Sequence, residues 1–232
     1  MWILKAVSVI LIGVVLAGCS TPMALNSFTG KDSLNEKSMG LFTVRMSNEH
    51  FPEEQPELNT VYIKPSDSGP AQPFWVKHIA HQKVKKQFNE YLVSVSLQPG
   101  AYEFTRVWGA SFGPRGIESG YARLTCDRFD FRAVSARFDL PQRSVVYLGH
   151  VNMNNRKRKR GETRSSPLLH NMSRFDAGTF DITITDRGET DIPLFREKYP
   201  NLKGIPIETS IMQREGSTKI DPKDAEKENI EE

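Results

Sequence analysis

Gly109-Ala110-Ser111-Phe112-Gly113 is a literal GxSxG. In that pattern a nucleophilic serine sits on a strained turn between a strand and a helix, and backbone N–H groups at the helix start help to build an oxyanion hole. The segment Tyr102 to Trp108 reads as the preceding strand, but Pro114, Gly116 and Gly120 follow where the helix is required. The favoured reading of Ser111 is therefore a glycine-rich loop, and a serine hydrolase using it is the alternative. His78 and His81 would share a face on a helix, yet Phe74 to Ile79 alternates like a strand, which sends them to opposite faces. No HExxH or carboxylate spacing completes a metal site around them, and His50, His150 and His170 are isolated along the chain. No metal or cofactor is expected.

Two cysteines remain to be placed. Lys5 precedes an apolar run from Ala6 to Leu16, which matches the charged and hydrophobic regions of a secretory signal. That run is shorter than the roughly 20 residues needed to span a bilayer. Leu16, Ala17, Gly18 and Cys19 then form a lipobox: the small residues suit the processing peptidase, and the Cys19 thiol accepts diacylglycerol. Two or three acyl chains hold a protein far more firmly than one. Cys126 is left without an intramolecular partner and reads as a small buried apolar group beside Leu124 and Phe129.

The third signal is the basic run Arg156, Lys157, Arg158, Lys159 and Arg160 after a strand ending near Met153. In an envelope compartment nucleic acid is not a routine partner. The run reads either as a solvated hairpin loop or as a contact for anionic lipid, cell-wall polymer or an acidic protein. The whole chain carries 31 Lys and Arg against 28 Asp and Glu, and losing Lys5 with the signal leaves a near balance. Local charge is therefore more informative than net charge.

The elements that must position these residues are mostly strands. Phe42, Val44 and Met46 alternate with polar residues, as do Tyr91, Val93, Val95 and Leu97, and again Phe180, Ile182 and Ile184. Val145 to Val151 is apolar in both phases, so it is expected at the centre of a sheet. The apolar phase slips between Phe129 and Leu140, which calls for a β-bulge near Ala133. Pro99-Gly100 between alternating runs predicts a hairpin, with further breaks at 65–73, 113–120 and Pro141. One late helix is predicted, capped by Thr190, with Ile192, Phe195 and Tyr199 on one face and Pro200-Asn201 as its stop. It is expected to cover the sandwich, followed by a short strand within Ile205 to Met212.

The expected organisation is a signal peptide over 1–18, a lipidated tether over 19–38, an antiparallel β-sandwich domain with one C-terminal helix over 39–213, and a charged, disordered tail over 214–232. The lipobox, Val61-Tyr62-Ile63-Lys64-Pro65, the Leu97-Gln98-Pro99-Gly100-Ala101-Tyr102 turn within Val93 to Phe104, and Val146-Tyr147-Leu148-Gly149 together resemble a family of uncharacterised bacterial lipoproteins. The resemblance covers about two thirds of the chain by layout and implies a transthyretin-like or immunoglobulin-like sandwich, with no activity attached. It also implies the outer membrane, facing the periplasm, because Ser20 stands where an Asp often retains such lipoproteins in the inner membrane. The partners expected are the membrane, through the lipid anchor, and an anionic lipid, cell-wall polymer or envelope protein.

Overall fold

The computed structural model describes residues 37–52, 55–67, 69–76, 88–118, 121–165 and 178–214, without the side chains of Trp75 and of residues 112–127. Leu16, Ala17, Gly18, Cys19, His78, His81, His170, most of the tether and the charged tail lie outside the described residues, as does the side chain of Cys126.

The chain is mainly β, arranged as two sheets packed face to face with one helix on an outer face. The first sheet holds β1 (Ser38–Asn48), β4 (Asn89–Leu97), β8 (Val145–Lys157), β9 (Gly178–Thr185) and β10 (Glu208–Thr209). The second holds β2 (Glu57–Pro65), β3 (Gln72–Trp75), β5 (Gly100–Glu118), β6 (Tyr121–Phe131), β7 (Ala136–Leu140) and β11 (Gln213–Arg214). The alternating apolar residues of both sheets meet in one core, where Phe42 lies 5.6 Å from Phe104 and Phe180 contacts Phe129 and Phe131 edge-on. Each such fully buried aromatic contributes about 2–3 kcal/mol by leaving water.

β8 is central, as its two apolar phases require, with β1 on one edge and β9 and β10 on the other. The sheet is mixed rather than purely antiparallel: β8 runs parallel to both β1 and β10. A strand buried on both faces is what parallel pairing favours. β1 shows the same double burial, with Phe42, Val44 and Met46 in the inter-sheet core and Met39 and Leu41 under the helix.

Pro99-Gly100 does not form a hairpin. It carries the chain from β4 in the first sheet to β5 in the second, with Gly100 at φ 152° and the Tyr102 hydroxyl donating to the Gln98 carbonyl across the turn. Alternation reports that one face of each strand is buried; it does not report whether the next strand lies beside it or opposite it. The phase slip is absorbed by more than a single-residue bulge: residues 132–135 interrupt the ladder opposite two residues of β5, with Ser135 at φ 44°.

The helix α1 (Gly188–Lys198) begins two positions before Thr190, with Arg187 at the N-cap and the Asp186 carboxylate accepting from the Gly188 N–H. Thr190 is inside the first turn and caps nothing. Phe195 and Tyr199 are buried and Ile192 packs beside them against Leu41, Leu92 and Tyr147. A short 3-10 turn, Pro200–Leu202, follows. The strand expected after it divides, since β10 lies along β8 while β11 joins β7 in the opposite sheet and so fastens the two sheets at one edge.

Candidate functional site

Ser111 lies in the middle of β5, paired in register with Asp127 of β6, so the Gly109 to Gly113 segment is strand and not loop. The glycine that looked like a turn marker is a packing residue: a Cβ on Gly109 would stand 2.1 Å from the Glu57 carbonyl and 2.4 Å from the Phe129 ring. No strand-to-helix turn is present there, and the buried Ser111 hydroxyl has no hydrogen-bond partner among the described residues.

The basic run begins inside β8, which extends to Lys157, four residues beyond its expected end. Arg156 makes a two-pronged contact with Glu162 at 2.8 and 2.7 Å and a further bond to Asp181 at 2.7 Å. These carboxylates hold the Arg156 guanidinium above its ordinary value, and the same pairing pushes the Glu162 carboxyl down to about 2. Glu162 also accepts from the Lys159 N–H, and Arg158 donates to the Glu162 carbonyl, closing a tight turn in which Gly161 takes φ 84°. Lys157, Lys159 and Arg160 are left exposed. The turn is anchored at Ser165, whose hydroxyl donates to buried Asn155 and whose carbonyl accepts from Asp130 in the other sheet.

A cluster that the sequence leaves scattered forms beneath α1. In β8, Gly149 at φ 110° adds a residue to the strand, so that Tyr147 and His150 project from the same face instead of opposite faces. His150, far from being isolated, has Thr43 Oγ1 2.7 Å from its Nδ1. The Thr43 and Tyr147 hydroxyls donate to Asp191 Oδ2 at 2.6 and 2.7 Å. Because Thr43 gives its proton to Asp191, it accepts from His150, which fixes the imidazole proton on Nδ1. Arg187 Nη1 lies 3.1 Å from Nδ1 and 3.2 Å from Nε2, where the unprotonated Nε2 can accept from it, and Arg187 in turn pairs with Glu90 at 2.8 Å. Asp191 Oδ1 has Arg187 Nη2 at 3.3 Å, close enough for attraction but in poor hydrogen-bonding geometry.

Burial pushes the His150 imidazole below its ordinary value, and the Arg187 charge adds to that, against the opposing pull of Glu90 and Asp191. Burial and the Asp191 carboxylate raise the Tyr147 phenol. Chemically, the cluster is a hydrogen-bonded His–Thr–Asp chain with its acid fully buried. Its clue in the sequence is Gly149-His150 inside an otherwise apolar strand: a glycine marks an irregularity, and a buried imidazole requires partners. Among the described residues no group of three or more His, Cys, Asp or Glu is placed to hold a metal ion.

No family model matches the sequence, and no curated protein or solved structure matches it.

Proposed function

We propose that the chain is a membrane-anchored lipoprotein of the bacterial envelope, tethered through acylated Cys19, whose sandwich serves as a non-catalytic interaction module. The observation that carries this reading is the lipobox from Leu16 to Cys19, placed directly behind Lys5 and the short apolar run. In this reading the mature chain starts at Cys19, Ser20 directs it to the outer membrane, and kinship with transthyretin-like or immunoglobulin-like lipoproteins accounts for the two packed sheets.

What supports the non-catalytic half is the disposition of the polar groups. Thr43, Tyr147, His150 and Asp191 are buried and turned toward one another, so their hydrogen bonds hold α1 on the sheet. Ser111, the residue of the alternative hydrolase reading, lies within a continuous strand. Among the described residues no helix is long and apolar enough to cross a membrane. In the proposal, attachment rests on the acyl chains.

Metabolic labelling with palmitate tests the anchor. The parent chain should incorporate label and lose its first 18 residues, whereas Cys19→Ala should remain unlabelled and full-length. Equal labelling of the two would overturn the proposal.

A further inference from the structure

The two ends of α1 are held on the sheet by different means. Toward its C-terminal end Phe195 is buried with Tyr199, Leu202 and Leu41 in an apolar cluster. The first turn is held by polar groups: Asp191 accepts from Thr43 and Tyr147, and Arg187 at the N-cap reaches Glu90 of β4 at 2.8 Å. Pro193 lies between the two ends. It has no N–H to give to the Glu189 carbonyl four positions earlier, so the first turn is coupled less firmly to the rest of the helix.

His150 sits inside the polar tie. From β1 it meets Thr43 and the charge of Arg45, from β4 it meets Glu90 at 3.6 Å, and from the helix it meets Asp191 at 4.0 Å and Arg187 at 3.1 Å. The residue paired with it in β9, Thr185, carries no charge. While the imidazole is neutral, two cations and two carboxylates balance around it. A proton added at Nε2 removes the acceptor used by Arg187 and places a third positive charge beside the two carboxylates. A buried charge without a partner is costly, so one cation must give way. The His150 side chain is short, fixed in the strand and 6% exposed, whereas that of Arg187 is long and 31% exposed, able to turn its guanidinium into water.

We propose that protonation of His150 makes it displace Arg187 from Glu90, so that acid unties the first turn of α1 from β4 while Asp191 stays bonded to Thr43 and Tyr147. The device goes beyond the interaction-module reading and does not depend on the anchor.

Two measurements on the full-length chain in detergent test it. NMR of isotopically labelled histidine between about pH 7.5 and pH 4.5 follows the imidazole, with His150→Gln identifying its signal. Amide hydrogen exchange, corrected for the intrinsic effect of pH, follows the first turn. The Thr190 and Asp191 amides donate to the Arg187 carbonyl, and in the parent they should exchange about tenfold faster once His150 is protonated. In His150→Gln they should show no such acceleration. Arg187→Met should bind the His150 proton about tenfold more tightly, a rise of about one pH unit in its midpoint, with these amides already fast at neutral pH. Arg187→Gln makes the same change of charge and serves where the Met variant does not fold. A His150 midpoint unmoved by loss of Arg187 overturns the proposal. So does acid acceleration that persists in His150→Gln, or a parent imidazole that stays neutral throughout the range.

Discussion

At the scale of single residues, His150 shows how burial turns a titratable group into a stability term. The unfolded chain protonates this imidazole near its ordinary value of about 6.5, whereas the folded chain resists until a lower pH. Stability from this group is therefore complete above about pH 6.5 and is lost as pH falls from there toward the folded value. Urea denaturation should show the parent midpoint falling between about pH 7 and pH 5 more steeply than that of His150→Gln, which cannot titrate. Parallel curves would remove His150 from the account. Glu162 acts in a separate window: its pairing with Arg156 is felt above the usual carboxylate range and fades as pH falls toward about 2. The cluster itself was poorly legible from sequence, because Thr43, Tyr147, His150 and Asp191 are brought together by register and not by spacing.

At the scale of elements, the strands were legible wherever apolar residues alternate, and the central place of β8 was legible from its double burial. Sheet membership was not, because facing strands and neighbouring strands bury the same alternating face; Pro99-Gly100 is the case in point. Nor was the strand character of Gly109 to Gly113, since a glycine needed for close packing has the same letter as one needed for a turn. The decisive local device is Gly149. A Cβ there would meet Ile211 Cγ2 and the Thr185 carbonyl at 3.2 Å, on a backbone at φ 110° that other residues avoid. Gly149→Ala should therefore destabilise the fold by about 2 kcal/mol or more. Gly204→Ala carries a positive φ of 77° but meets nothing within 4 Å. It should cost only the backbone strain, about 1 kcal/mol. Equal urea midpoints for the two variants would show that Gly149 is not a close-packed bulge residue.

At the scale of the whole molecule, the proposed anchor would give the basic turn a surface to act on. If the chain is anchored at Cys19 as proposed, a tether of the expected length would reach roughly 24 Å by random-coil scaling and would bring the turn to the bilayer at high effective concentration. Arg156 and Arg158 are engaged in building the turn, which leaves Lys157, Lys159 and Arg160 to face a surface. At about 1 kcal/mol each near anionic lipid, these three supply a binding of about 100-fold that salt weakens. The lipid-free chain from Ser20 onward should sediment with anionic vesicles at low salt, and replacing those three residues by Ser should abolish most of that. Unchanged sedimentation of the triple variant at every salt concentration would leave the turn without a role at the membrane.

The parallel pairing of β1 with β8 has a consequence for timing. Thr43 and His150, neighbours across the middle of the sheet, are separated by 107 positions of chain. Contacts of such separation form late, because the entropy of closing the intervening loop must be overcome before they stabilise anything. The first strand can meet β4 early, but its other edge stays open until β8 has been delivered, and α1 follows later still. A chain that crosses a membrane from its N-terminus, as proposed here, therefore cannot close its central ladder until about two thirds of its length, as far as Lys157 of 232 residues, has passed.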